Sequence, residues 1–256
     1  MTSESAGADE HFVAPALSGV APLSMFDAVR ARLYLAIELG LLKAGDRLPS
    51  DARSAEALDV SVATIRRAFG ALTEENVLTR KRGRHGGTFV AADVDPTRWA
   101  EDPAVQRFRD EAPTVRALID ERALIESALA AEAAWRHGDP ATAAHLDDAR
   151  EAIAAAEAAE DWTEFHAADV RFHRAVAAAS GHDWALAQHQ AVADALYAYF
   201  VPYPIAYLRE SNAQHRAVLE AIDRGEARIA AREALAHVRE LRESMFISQR
   251  PSGSGR

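Results

Sequence analysis

The sequence contains no cysteine, which excludes disulfides and thiolate metal ligands. No apolar run approaches membrane-spanning length. The Ser-, Ala- and acid-rich N-terminus lacks the basic-then-apolar order of a secretory signal. A cytoplasmic protein with no membrane partner is expected. Aromatic residues supply only 7% of the chain. Positive charge is also in deficit, with 29 Lys and Arg against 39 Asp and Glu and a net charge of -10. As a total, that balance is wrong for a nucleic-acid binder.

The deficit is unevenly spread. Residues 21–92 hold eleven Lys and Arg against eight Asp and Glu, whereas residues 93–256 hold eighteen against twenty-eight. Phosphate binding needs a local positive face, not a positive total. With 256 residues, two domains are the natural expectation. Residues 1–20 are small and polar without a period and read as disordered, as does the tail 249–256.

Within 21–91 the local signals are dense. A first helix is expected over 23–39, ending at Gly40. Ser50 caps a short second helix to Leu58, with a turn at Asp59-Val60. Ser61 caps a third, whose apolar residues Ile65, Ala68, Phe69 and Leu72 fall at i, i+3, i+4 and i+7 and so share a buried face. The opposite face carries Ala63, Arg66, Arg67 and Gly70. Leu78-Thr-Arg-Lys-Arg-Gly83 and Gly87-Thr-Phe-Val90 read as a hairpin. Its tip is cationic, with Arg80, Lys81, Arg82, Arg84 and His85. Helix, turn, helix and basic wing form a DNA-reading head. Its candidate DNA residues are Ser50, Arg53, Ser61, Thr64, Arg66, Arg67, Arg82, Arg84, His85 and Gly86. An arginine on the third helix can read guanine bidentately, and the wing can grip phosphate or a minor groove.

Residues 92–112 read as a linker and connecting helix. Beyond them the chain is rich in Ala, Glu, Arg and Leu and reads as helix, punctuated by Pro113, Gly138-Asp-Pro140, Gly181, Pro202, Pro204 and Gly225. Helices are expected near 97–110, 114–137, 140–158, 161–179, 183–208, 211–223 and 226–248. The fold class is mainly α: an N-terminal winged helix-turn-helix, then an antiparallel all-α bundle over 113–248.

Ten histidines are present. Asp169 and His173 stand at i and i+4 on one helix face, and His215 and His237 each lie in an apolar helical stripe. A bundle joining those faces would hold one carboxylate and three imidazoles, a donor set suited to Zn²⁺, Ni²⁺, Mn²⁺ or Fe²⁺. By spacing alone, a histidine on an apolar face is more often a satisfied core residue. His166 lies one turn before Asp169, beside the donors or on the surface. Arg122 is either a clamp for a carboxylate or an intrahelical partner of Glu126. Tyr197, Tyr199, Tyr203 and Tyr207 line a cavity or pack.

Residues 30–90 resemble the GntR family of bacterial winged-helix regulators. The likeness rests on Ile37, Gly40, Gly45-Asp-Arg-Leu48-Pro49-Ser50, Val60-Ser61, Ile65-Arg66, Ala68, Leu72 and Gly86-Gly87-Thr-Phe89-Val90. Ala52 and Val62 stand where the family usually has arginines that contact DNA, which leaves Arg53 and Arg67 to replace them. Residues 97–248 resemble the FCD effector domain of the FadR subfamily. Trp99 with Asp102-Pro103-Ala-Val105, Arg122-x-x-Ile125-Glu126, Asp169-x-x-Phe172-His173, Ala179-Ser180-Gly181, His215-x-x-Val218 and Ala234-x-x-His237 carry the match. The resemblance implies a divalent metal held by Asp169, His173, His215 and His237.

Together these features predict a ligand-responsive transcriptional regulator. The expected form is a repressor, a homodimer on a pseudo-palindromic double-stranded operator. Its effector is a small organic acid bound at the metal, with Arg122 and Tyr197 as effector contacts. The alternatives are a metal-dependent enzyme using the Asp/His set, or a regulator sensing the metal itself.

Overall fold

Ser24, Ser50 and Ser61 sit in extended backbone, and each hydroxyl accepts from the amide three residues on. These caps start α1 (Met25–Glu38), α2 (Asp51–Ala57) and α3 (Val62–Glu74) in a computed structural model that describes residues 23–84 and 86–245. The expected disordered ends, 1–20 and 249–256, and His85 lie outside the described residues. On α3, Ile65, Ala68, Phe69 and Leu72 are buried, as their period predicts. They pack on Val29 and Leu33 of α1 in one apolar core. Burying a side chain such as Ile65 or Phe69 contributes roughly 1.5–3 kcal/mol.

The wing pairs β1 (Leu78–Lys81) with β2 (Gly87–Val90) antiparallel, Leu78 opposite Val90 and Lys81 opposite Gly87. The extended piece before α2 adds to its edge, with Leu48 N–H donating to the Thr88 carbonyl at 2.9 Å. The wing turn closes through Gly86, whose amide donates to the Gly83 carbonyl. A Cβ there would stand 2.3 Å from the Lys81 carbonyl oxygen, so only glycine fits.

The segment expected as a linker is packed against α1. Trp99 is buried and stacks on Tyr34 at 4.7 Å between centroids. Its helix starts later than the expected residue 97: Asp102 caps α4 (Pro103–Asp110), with Pro103 in the first turn, where its missing N–H costs nothing. Val105 and Phe108 carry the same core on to Val115, Ile119, Leu196 and Val238.

Six further helices complete the bundle: α5 (Ala112–Trp135), α6 (Pro140–Ala158), α7 (Trp162–Ala179), α8 (Asp183–Tyr197), α9 (Ile205–Asp223) and α10 (Ala227–Ser244). α5 lies along α10 and α8, α6 along α7, and α9 along α10 and α6. Buried alanines at 130, 133, 134, 149, 152, 175 and 179 let these helices approach closely. The helix expected over 183–208 ends at Tyr197, and that expected from 211 begins at Ile205. Pro202 and Pro204 explain both shifts, since proline lacks the amide that an interior turn needs and drives its predecessor to extended backbone.

Candidate functional site

The period of α7 puts Asp169 and His173 on one face, and packing brings His215 of α9 and His237 of α10 against it. The Nε2 atoms of His215 and His237 are 3.1 Å apart, and those of His237 and His173 are 3.3 Å apart. Asp169 Oδ1 lies 3.4 Å from His215 Nε2 and 3.7 Å from His173 Nε2. Three donors held about 2.0–2.1 Å from one ion stand at comparable separations.

Each imidazole is oriented from behind. His173 Nδ1 lies 2.8 Å from Glu126 Oε2. His215 Nδ1 donates to Asn212 Oδ1 at 3.1 Å, and His237 Nδ1 to Gln214 Oε1 at 2.7 Å. Both amides are themselves fixed: Asn212 Nδ2 donates to the Ile153 carbonyl at 3.1 Å, and Gln214 Nε2 to Glu240. Protons therefore sit on Nδ1, and lone pairs point inward. This outer layer of partners is what a metal-ligating histidine needs. Sequence reading passed over it. Asn212 and Gln214 lie within three residues of His215, and that proximity was the available signal.

Charge at the centre follows from burial and neighbours. Burial would raise the Asp169 and Glu126 carboxyls, but His173 beside Asp169 and Arg122 beside Glu126 outweigh it, so both stay well below the usual carboxylate range. Burial, then the other imidazoles, lowers His215, and likewise takes His237 down to about 3. For His173, burial lowers and Glu126 raises, and the net direction is up. The buried carboxylates thus favour positive charge among the donors. A proton on His173 would serve its two carboxylate neighbours, whereas a cation would face all four donors at once.

Of the two roles expected of Arg122, the pairing with Glu126 is seen. Its Nε donates to Glu126 Oε1 at 2.6 Å, both groups being buried, and it also lines a cleft beside the histidines. Its guanidinium stands 5.2 Å from the centre of the Tyr197 ring. His189 Nε2 lies 3.0 Å from the same carboxylate. The cleft has about 830 Å³ of free space, counting its open mouth. Tyr197, Tyr203 and Tyr207 line it, whereas Tyr199 packs edge-on against Phe108. His166 is half-buried there, edge-on to Tyr197. Tyr197 Oη and Trp162 Nε1 are buried without a hydrogen-bond partner among the described residues.

In the winged-helix part, Ser50 and Ser61 serve as caps, and the Thr64 hydroxyl meets that of Ser61 at 2.9 Å. Arg66 is 69% exposed and lies 3.5 Å from Asp51, which also holds Arg80 at 3.3 Å. Arg67 stands over the Phe26 ring. Arg82 and Arg84 are exposed near the wing tip. Arg53 differs from these: its Nη1 binds Asp161 at 3.0 Å and Glu164 at 2.7 Å, both at the start of α7. Nothing near residue 53 in the sequence signals that contact.

Residues 26–90 match the family described as bacterial regulatory proteins, gntR family, and residues 117–240 match the FCD domain. The chain is 30% identical over 225 residues to a Mycobacterium gastri protein named as an HTH-type transcriptional regulator, RmpR, covering 83% of this chain and 77% of that one. It is 32% identical over 232 residues to a protein of Escherichia coli (strain K12) named as an L-lactate dehydrogenase operon regulatory protein, covering 86% and 85%. Among solved structures, the Streptococcus agalactiae GntR is similar with a TM-score of 0.43 at 23% identity, over 86% of this chain and 100% of that one.

Proposed function

This chain belongs to the GntR family of DNA-binding transcriptional regulators, carries an FCD domain and is not an enzyme; from that premise we propose a repressor whose operator affinity is set by a small organic acid bound at a divalent metal. Asp169, His173, His215 and His237 are the metal ligands in this reading. The observation that carries it is the convergence of three imidazole lone pairs and one carboxylate oxygen, each imidazole held from behind. Such a set is repulsive unless a positive charge sits among the donors. A bound divalent ion would supply a local excess of about one positive charge beside one carboxylate and three neutral imidazoles, and an acid would neutralise it. Arg122 and Tyr197 face the same cleft and orient the carboxylate. One relative is named for a lactate dehydrogenase operon, so lactate is a first acid to test.

DNA contact belongs to the winged-helix part. Arg66, Arg67, Arg82 and Arg84 are among its exposed cations, with Ser50, Ser61, Thr64 and Gly86 shaping the surface that carries them. His85, in the same wing loop, is assigned from sequence only. Two copies related by a two-fold axis would read two half-sites of a pseudo-palindrome. The test combines metal analysis with operator titration on DNA selected from a random library. We expect one divalent ion per chain, absent from His173→Ala/His215→Ala, and an acid-dependent loss of operator affinity that disappears with the metal. Retention of the ion in the double variant overturns the assignment. Operator binding that answers to metal alone, with no response to any acid, makes the ion the signal. Replacing Arg82 and Arg84 together should lower the salt slope by about one unit for each phosphate they neutralise.

A further inference from the structure

The cleft beside the histidines is not closed by the helical bundle alone. Ala57 and Leu58, at the end of α2 in the winged-helix part, belong to its lining. α7 forms one side, running from His173 and Asp169 past Phe165 to Trp162. At 1.5 Å per residue, Asp169 and Trp162 stand roughly 10 Å apart along it. The lining of the cleft divides by chemistry. Around Asp169 gather the imidazoles, Arg122 and Tyr197. Trp162, Phe165, Phe200, Ala57 and Leu58 supply apolar walls. An acid of lactate's size at the histidines leaves much of that apolar lining uncovered.

The same first turn of α7 seats the winged-helix part. Asp161 caps it, and Asp161 and Glu164 hold Arg53 of α2. Resting on the reading of the metal end given above, we propose that the cleft takes a carboxylate with a ring-sized apolar body. Its body is gripped between α7 and the end of α2. Such an occupant presses on the contact that seats the DNA-reading helices, whereas a short acid confined to the metal end does not reach it.

The test is calorimetric titration of the zinc-loaded full chain with benzoate, phenylacetate and 3-phenylpropionate, beside lactate and succinate. Binding should tighten about fourfold per added methylene along the aryl series. Ala57→Phe, with unchanged zinc content as the check on folding, should weaken 3-phenylpropionate about tenfold by overfilling the wall that α2 supplies and lactate much less. Amide exchange over residues 51–58 should change with the aryl acids and not with lactate. Zinc-dependent lactate binding as tight as that of 3-phenylpropionate overturns the apolar-body proposal and leaves the metal–carboxylate reading standing. If no acid binds the zinc-loaded chain, both fall. Unchanged exchange at 51–58 with a bound aryl acid overturns the contact with α2.

Discussion

The winged-helix part and the helical bundle each concentrate polar groups, but by opposite means. Arg66, Arg82 and Arg84 stand in solvent on a scaffold fixed by near neighbours in sequence: a serine cap, a four-residue apolar stripe and a glycine turn. Water, with Asp51 beside Arg66, satisfies them until DNA arrives, so their presence costs the fold little. The bundle's donors come from three helices, His173 and His215 buried and Asp169 and His237 half-buried, with a fourth helix, α5, supplying the buried Glu126. There, each polar group left without a partner costs free energy, so the site is stable only when every layer is complete. Exposed charge is modular, and buried charge is cooperative.

Breaking the buried set should therefore do the most. Glu126→Ala strands Arg122 and removes the acceptor behind His173, and loss of one member of a buried ion pair costs about 3–5 kcal/mol. Denaturant midpoints measure that cost, and Glu126→Ala should also loosen metal binding about 10–100-fold. A loss of well under 1 kcal/mol would place this pair with the surface charges and collapse the contrast.

Metal removal comes next. With free metal at 100 times its dissociation constant, chelation should cost about 2.7 kcal/mol of stability, read as a drop in melting temperature. Binding to random DNA at the same salt should change little, because the wing does not touch the donors. Acid sharpens the comparison in the stripped chain. His237 is lowered from 6.5 to about 3 in the folded state, and His215 is lowered too. The unfolded chain takes up those protons first. Their contribution is therefore whole above pH 6.5 and is lost as pH falls from 6.5 toward 3. Asp169, also lowered, adds acid lability below the usual carboxylate range. His173, raised, opposes this, contributing at low pH and losing its contribution as pH rises through its own value. The net expectation is a melting temperature that falls with acid, and an acid-stabilised stripped chain would reverse the assignment of these protonation states.

Changes in the winged-helix part should be smaller and separable. Arg66→Ala should cost about 1–3 kcal/mol on a selected operator if the side chain reads a base, and far less on random DNA. Anisotropy titrations on both DNAs at one salt concentration separate the cases. Ser61→Ala is the mildest: it removes the cap on α3 and should cost about 1 kcal/mol of stability, seen in thermal melts without loss of bound metal.

Most of the winged-helix part was legible because its signals are short-range. Ser61 and the Ile65, Ala68, Phe69, Leu72 stripe lie within one helix, and Gly86-Gly87 within one turn. In the bundle the helices were legible, but their ends at Tyr197 and Ile205 were misplaced although Pro202 and Pro204 stood in plain view. Asp169, His173, His215 and His237 were legible as residue types and helix faces. Glu126 was visible only as a helical neighbour of Arg122, and Asn212 and Gln214 not at all, because a hydrogen bond to a histidine ring leaves no period.

By itself, then, the sequence determined the caps, the amphipathic faces, the cationic wing and the supply of Asp169, His173, His215 and His237, since each is set within a few residues by backbone hydrogen bonding and side-chain period. Only the tertiary structure decided which nitrogen of each histidine faces inward, that Arg122 both pairs with Glu126 and lines the cleft, that the supposed linker packs through Trp99 on Tyr34, and that Arg53 is held by Asp161 and Glu164 of a helix more than a hundred residues away. Those contacts depend on which helix faces meet. That choice comes from packing the whole apolar core at once, and no local stretch of the chain contains it.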